Sequence, residues 1–212
     1  MIYGSNDRKT FIKLKKLNKN SKSDNVSMLL IKKESFDVYK INHLSKIKQP
    51  PHSGNDVISY YGVNSPNISD FLESKKTPPF FYENWIVAFS GEIFNIQTIL
   101  GVFETCDFLV PDNNSCLINC ILNFMQQNIK NEVNVLKEVF SLLEGSYSCW
   151  IFNIKTKNCF LLKCNSNLYA NIYNNDFSTK DINGFESLND GEIYQLTREG
   201  ITPVGYFDCA IY

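Results

Sequence analysis

The stretch Asn84-Trp-Ile-Val-Ala-Phe-Ser-Gly-Glu-Ile-Phe-Asn95 holds the residues best placed to do chemistry. Trp85 to Phe89 reads as a buried strand that breaks at Ser90-Gly91, with a helix opening at about Asn95. A strand that stops on a small residue and a glycine presents backbone N–H groups at its end, and such groups can hold an anion or a carbonyl oxygen. Cysteine offers a second chemistry. Cys116 and Cys120 lie four apart on a predicted helix, but the only two histidines, His43 and His52, are far away in sequence, so no metal site is expected. The seven cysteines fall on apolar strand and helix patterns instead of paired loop spacings, which predicts buried free thiols in a reducing compartment.

The elements that must position these residues follow from periodicity and turn chemistry. Ile2-Tyr3-Gly4 reads as a short strand turning at Ser5-Asn6-Asp7, with Asp7 capping a helix from Arg8 to about Asn18. That helix puts Phe11, Leu14 and Leu17 near one face and Lys9, Lys13 and Lys16 on the other, a solvated face. Val26 to Ile31 and Phe36 to Ile41 form a hairpin, Lys46 to Asn55 a loop, and Val57 to Val63 a strand that Ser65-Pro66-Asn67 breaks. After the central stretch come a short helix to near Gly101 and a helix from about Ser115 to Asn128 with Leu117, Ile121, Leu122 and Met125 as its stripe. Another helix runs from Val133 to Leu143 and closes on Gly145 as a C-terminal glycine. The last third carries strand signals only: Ser146 to Asn153, Cys159 to Lys163, Leu168 to Tyr173, Asp176 to Thr179, Glu192 to Leu196 and Ile201 to Phe207.

Strands, then helices, then strands on short turns predict an α+β fold with antiparallel sheets. Periodicity leaves open whether it is a four-layer αββα sandwich or a two-layer plate. A length of 212 residues with 43% hydrophobic content suits a single domain with a substantial core. A net charge of −1 argues against nucleic acid or an anionic membrane as a partner. No apolar run approaches the roughly 20 residues that span a bilayer, and the start has no signal-like segment, so a cytoplasmic location is expected.

Several of these segments, in order, resemble the class II glutamine amidotransferases, the N-terminal-nucleophile family that includes the glutaminase half of asparagine synthetase. Ser90-Gly91-Glu92-Ile93-Phe94-Asn95 is similar to the family's Asn-Gly-x-(Ile/Val)-x-Asn loop. Gly4 to Asp7, with Lys9-Thr-Phe11 and Leu14 to Asn18, resembles the opening of small stand-alone amidotransferases of tailed phages. Leu136 to Gly145 followed by Ser146-Tyr-Ser-Cys-Trp150 looks like the family's helix, glycine and small-aromatic-small-x-Trp strand. Cys159 to Lys163 with Leu168-Tyr169, and Asn189 to Tyr194, resemble its next hairpin and its Pro-Gly-Glu-Ile turn. The resemblance covers nearly the whole chain and implies the four-layer αββα sandwich of the Ntn hydrolases, without a synthetase domain.

It also implies that the catalytic residues are lost. The family's nucleophile is a first-residue cysteine whose free α-amine moves the proton. Here the opening pattern falls on Met1-Ile2-Tyr3-Gly4, and no cysteine precedes residue 106. The clamp for the glutamine carboxylate, an Arg or Gln before a Pro-Thr pair, stands as Asn64-Ser65-Pro66-Asn67, which removes a bidentate charged contact. The oxyanion-hole Asn is Ser90, and loss of one such donor costs on the order of 3 kcal/mol of transition-state stabilisation. The Asp that pairs with the substrate ammonium is Asn114. Only Gly91 and Asn95 remain.

The expected function is therefore a catalytically inactive amidotransferase-like protein, without cofactor, acting as a binding or structural component. Its partner is another protein or a second copy of itself, in the host cytoplasm or the virion if the chain is phage-encoded. Tyr60-Tyr61, Phe80-Phe81-Tyr82 and Tyr206-Phe207 are candidate contacts. The alternative is a small-ligand receptor or divergent enzyme whose neutral cleft is lined by Asn64, Asn67, Ser90, Asn95 and Asn114, suited to an amide, sugar or nucleoside.

Overall fold

A computed structural model describes residues 1–17, 25–32, 35–41, 57–65, 80–103 and 114–210. The chain opens with β1 (Ile2–Ser5) and α1 (Arg8–Leu17). The Thr10 N–H donates to Asp7 Oδ2 at 2.7 Å, so Asp7 caps α1 as expected, and this bond holds its carboxyl below the usual range. Phe11 and Leu14 are buried, whereas Lys9, Lys13 and Lys16 are exposed. β2 (Asn25–Lys32) and β3 (Phe36–Ile41) form the expected hairpin, closed by the Lys32 N–H on the Ser35 carbonyl at 2.8 Å. β4 (Val57–Ser65) returns beside both β1 and β2.

β5 (Phe80–Tyr82) and β6 (Trp85–Ile93) make a tight hairpin. Next come α2 (Ile96–Val102), α3 (Asn114–Gln126) and α4 (Glu132–Ser141). The remaining strands are β7 (Gly145–Asn153), β8 (Cys159–Cys164), β9 (Tyr169–Asn171), β10 (Asp176–Ser178), β11 (Glu186–Ser187), β12 (Glu192–Leu196) and β13 (Ile201–Tyr206).

Among the described residues the strands form two antiparallel sheets. One has seven strands in the order β11-β9-β10-β1-β4-β2-β3, and the other six, β13-β12-β8-β7-β6-β5. Strand alternation sends side chains to opposite faces, and the buried residues separate accordingly. Tyr3, Phe11, Leu14, Met28 and Leu30 pack between α1 and the first sheet. Ile2, Leu29, Tyr61, Phe177, Ile86, Ala88, Trp150, Phe152 and Leu161 pack between the sheets. Trp85, Val87 and Phe89 turn the other way, onto Leu117, Ile121, Leu136 and Phe140 of α3 and α4. Three cores between four layers make an αββα sandwich, so the two-layer alternative falls away.

Three expectations are corrected. β6 does not end at Ser90-Gly91; it continues to Ile93, with Ser90 opposite Ser148 and Gly91 opposite Tyr147. Gly145 is not the end of α4. Leu142 caps that helix in ordinary right-handed geometry, and Gly145 begins β7, where an added Cβ would lie 2.2 Å from the Glu92 carbonyl oxygen. Its missing side chain is needed for the close approach of two strands, a demand that a one-dimensional pattern cannot distinguish from a cap. Finally, Cys164 and Cys209 form a disulfide across 45 residues, where free thiols were expected. The C-terminal segment returns to β8 only in three dimensions, so spacing gave no sign of the pair. Cys149 and Cys159 are buried thiols, as read, and Cys106 lies outside the described residues.

Candidate functional site

The region around Ser90 is built where β6 outruns its neighbour. β5 accompanies β6 only as far as Val87, leaving the edge of the strand beyond it without a strand partner among the described residues. The first turn of α3 answers that edge. The Phe89 N–H donates to Ser115 Oγ at 3.1 Å, and Asn114 Nδ2 donates to the Gly91 carbonyl at 3.4 Å. Further along α3, Asn119 Nδ2 donates to the Trp85 carbonyl at 2.7 Å and Asn123 Nδ2 to the Tyr82 carbonyl at 3.0 Å. Gln126 Oε1 accepts from Trp85 Nε1 at 2.8 Å. Spacings of four, four and three residues put these polar side chains in one stripe, next to the apolar one. Sequence reasoning found the apolar stripe and missed this one, although Asn at i and i+4 inside a hydrophobic helix was the available signal.

Gly91 has φ +133°, and an added Cβ would stand 2.1 Å from the Ser146 carbonyl oxygen. Only glycine fits there. Ser90 is half-buried and alternates with Ile86 and Ala88, so it shares their inter-sheet face. Directly across on β7 is Ser148, and across from that on β8 is Lys163. The three form a polar row at one end of the inter-sheet layer. The Ser148 hydroxyl lies 2.9 Å from the Asn167 carbonyl and 3.1 Å from the Ser166 hydroxyl. Lys163 is only 7% exposed; its ammonium donates to the Ser166 carbonyl at 3.0 Å and meets Asp190 Oδ2 at 3.5 Å. Sequence reasoning missed Ser148 and Lys163. The signal was a lysine on the inward register of an otherwise apolar strand.

The residues expected to line one cleft are only partly brought together. Ser90, Gly91 and Asn114 converge. Asn95 does not join them: its Nδ2 donates to the Leu142 carbonyl at 2.8 Å, and its Oδ1 accepts the Glu144 N–H at 3.0 Å. Both ends of this amide are spent holding the start of α2 against the corner between α4 and β7. Asn95 precedes α2 as expected, but its side chain makes no capping bond there. Asn64 sits on β4 opposite Val26, and Asn67 lies outside the described residues. Among the described residues no cluster of three or more His, Cys, Asp or Glu could hold a metal ion.

The architecture matches solved structures over nearly its full length. The glutamine phosphoribosylpyrophosphate amidotransferase of B. subtilis, solved with ADP and GMP, superposes with a TM-score of 0.75 at 13% identity, covering 99% of this chain and 50% of that one. This chain has the class II glutamine amidotransferase fold. A structure described as the allosteric regulatory enzyme of purine biosynthesis gives a TM-score of 0.76 at 12% identity, over 99% of this chain and 49% of that one. The chain thus spans about half the length of these two larger proteins. A predicted glutamine amidotransferase from Pseudomonas aeruginosa PA01 matches at 0.57 and 14% identity, with 94% of each chain covered. No family model and no curated protein matches the sequence. At identities this low the likeness establishes the amidotransferase fold and nothing about activity.

Proposed function

We propose that this chain is an amidotransferase-like protein without glutaminase activity, serving as a binding or structural component. The observation that carries this reading is the chemistry at the positions that match the family pattern. Ser90, Gly91, Asn95 and Asn114 carry no charge, and the amides of Asn95 and Asn114 bond to the chain's own backbone. A glutamine zwitterion needs a cation for its carboxylate and an anion for its ammonium, because an unpaired charge withdrawn from water is costly. Serine at position 90 also shortens the reach to an oxyanion. The test is to incubate the purified chain with glutamine and measure ammonia. We expect none above the rate of the buffer alone, and steady ammonia release abolished by Ser90→Ala would overturn the proposal.

Partner binding draws support from the rim of the sandwich. On the edge strand β5, Phe81 is 51% exposed and Tyr82 46% exposed. Phe81 meets Phe36 of β3, the edge strand of the other sheet, with ring centroids 5.6 Å apart. Two sheet edges without a further strand among the described residues, joined by aromatic rings, suit a protein partner or a second copy. Tyr206 is also exposed, whereas Tyr61 and Phe207 are buried and belong to the core. A phage-encoded virion or host-interaction role rests on the sequence resemblance to stand-alone phage forms. No described helix is long and apolar enough to cross a membrane.

The second reading, a small-ligand receptor or divergent enzyme at the Ser90 end, is favoured by the row Ser90, Ser148, Lys163, which offers hydroxyls beside a buried cation. Saturable thermal stabilisation by a neutral amide, sugar or nucleoside, lost in Ser90→Ala, would favour it over the structural role.

A further inference from the structure

A cavity of about 770 Å³ opens between the sheets at the end opposite Ser90. Along β7, Phe152 in its wall is four residues from Ser148, or roughly 13 Å at strand rise. It is therefore separate from the Ser90 region. Ile31 and Tyr61 line it from the first sheet, Phe152 and Leu196 from the second. This volume lies within the range of small-molecule sites, about 300–1,000 Å³.

Its chemistry is asymmetric. The interior is apolar and uncharged. Tyr61 and Cys159 lie against each other there, and burial raises the Tyr61 hydroxyl well above its ordinary value and the Cys159 thiol to about 12, so both stay neutral. At the mouth stand the exposed cations Lys157 and Arg198, and among the described residues no carboxylate lines the cavity. Polar groups between mouth and interior are held from behind. The Ser59 hydroxyl donates to Asn6 Oδ1 at 2.7 Å, which leaves the Asn6 NH2 as a donor. Gln195 Nε2 donates to Asn158 Oδ1 at 3.0 Å, and Asn158 Nδ2 in turn donates to Glu132 Oε2 at 2.7 Å. The Glu132 carboxylate is thus engaged outside the lining, and Gln195 keeps one fixed orientation at the wall. An apolar void would stay dry, but a polar-rimmed cavity open to solvent holds exchangeable water that an amphipathic molecule can displace.

From this layout we propose that the cavity binds a small organic anion, with a flat apolar body between Tyr61, Phe152, Ile31 and Leu196 and a carboxylate or phosphate group facing Lys157 and Arg198. The apolar walls supply affinity, and the two cations select for negative charge at one end.

The experiment uses the whole chain and calorimetric titration with three probes sharing one ring system: 2-naphthoate, 2-naphthyl phosphate and the neutral 2-naphthalenemethanol. At least one anionic probe is expected to bind saturably and about tenfold or more tighter than the neutral twin. The charge-reversed double variant K157E/R198E alters exposed side chains, so its fold can be verified by an unchanged melting temperature. It is expected to lose that preference while retaining the neutral probe. Leu196→Trp, which pushes an indole from the apolar wall into the space for the ring system, is expected to weaken the binding of every probe. Absence of saturable binding by every probe, equal affinity of charged and neutral probes, or an undiminished preference in K157E/R198E would overturn the proposal. A stronger hold on the phosphate than on the carboxylate, or the reverse, would support it and assign the headgroup.

Discussion

The two ends of the inter-sheet layer differ in how their polar groups are used. At the Ser90 end nearly every one is bonded to the chain itself: Ser148 to Asn167, Lys163 to Ser166 and Asp190, Asn114 to Gly91. At the Tyr61 end the sheets part around a cavity, and the cations at its mouth face solvent. One end of the layer is thus given over to internal bonding while the other leaves room. Polar residues that complete one another raise stability, since a buried donor or acceptor left alone is costly. The polar side chains lining the cavity are bonded to the chain as well, but the exposed cations at its mouth contribute little to stability and are available to a ligand.

That contrast can be broken by mutation. The largest effect is expected at Gly91, where alanine meets both an unfavourable φ and the Ser146 carbonyl oxygen. Gly91→Ala should cost about 3 kcal/mol or more in urea unfolding, and a loss below about 1 kcal/mol would show that β6 and β7 can separate there without penalty. Lys163→Ala comes next, because it strips the Ser166 carbonyl and Asp190 of their cation. About 2 kcal/mol is expected, read by the same unfolding curves, and a neutral outcome would mean that Lys163 is held for a ligand and not for the fold. The smallest effect should come from K157E/R198E at the other end, within about 0.5 kcal/mol of the parent. A larger loss there would place those cations among the groups that hold the sandwich together.

The sequence carried most of the architecture because strands and amphipathic helices announce themselves by period. The hairpin of β2 and β3, the Asp7 cap and the turn from β7 into β8 all follow from local chemistry. What stayed hidden depends on contact between distant segments. Gly91 and Gly145 look like a break and a cap until β6 and β7 are seen pressed together. Asn119 and Asn123 look like interruptions of a buried helix face until the hairpin of β5 and β6 lies beneath them. Of the candidate site, Ser90, Gly91 and Asn114 were legible as neighbours through the family pattern. Asn95 was not legible as a brace, because its two backbone partners are more than forty residues away.

The first turn of α3 has one more consequence. A hydroxyl that accepts from Phe89 and an amide that donates to Gly91 supply what an adjacent strand would supply, two residues apart and with alternating sense. The helix end thereby continues the sixth strand where β5 falls short. An incoming polypeptide trying to zip onto this edge of β6 would have to evict Ser115 and Asn114 first, so among the described residues the open position on this side of the sheet is the outer side of β5, where Phe81 and Tyr82 stand exposed.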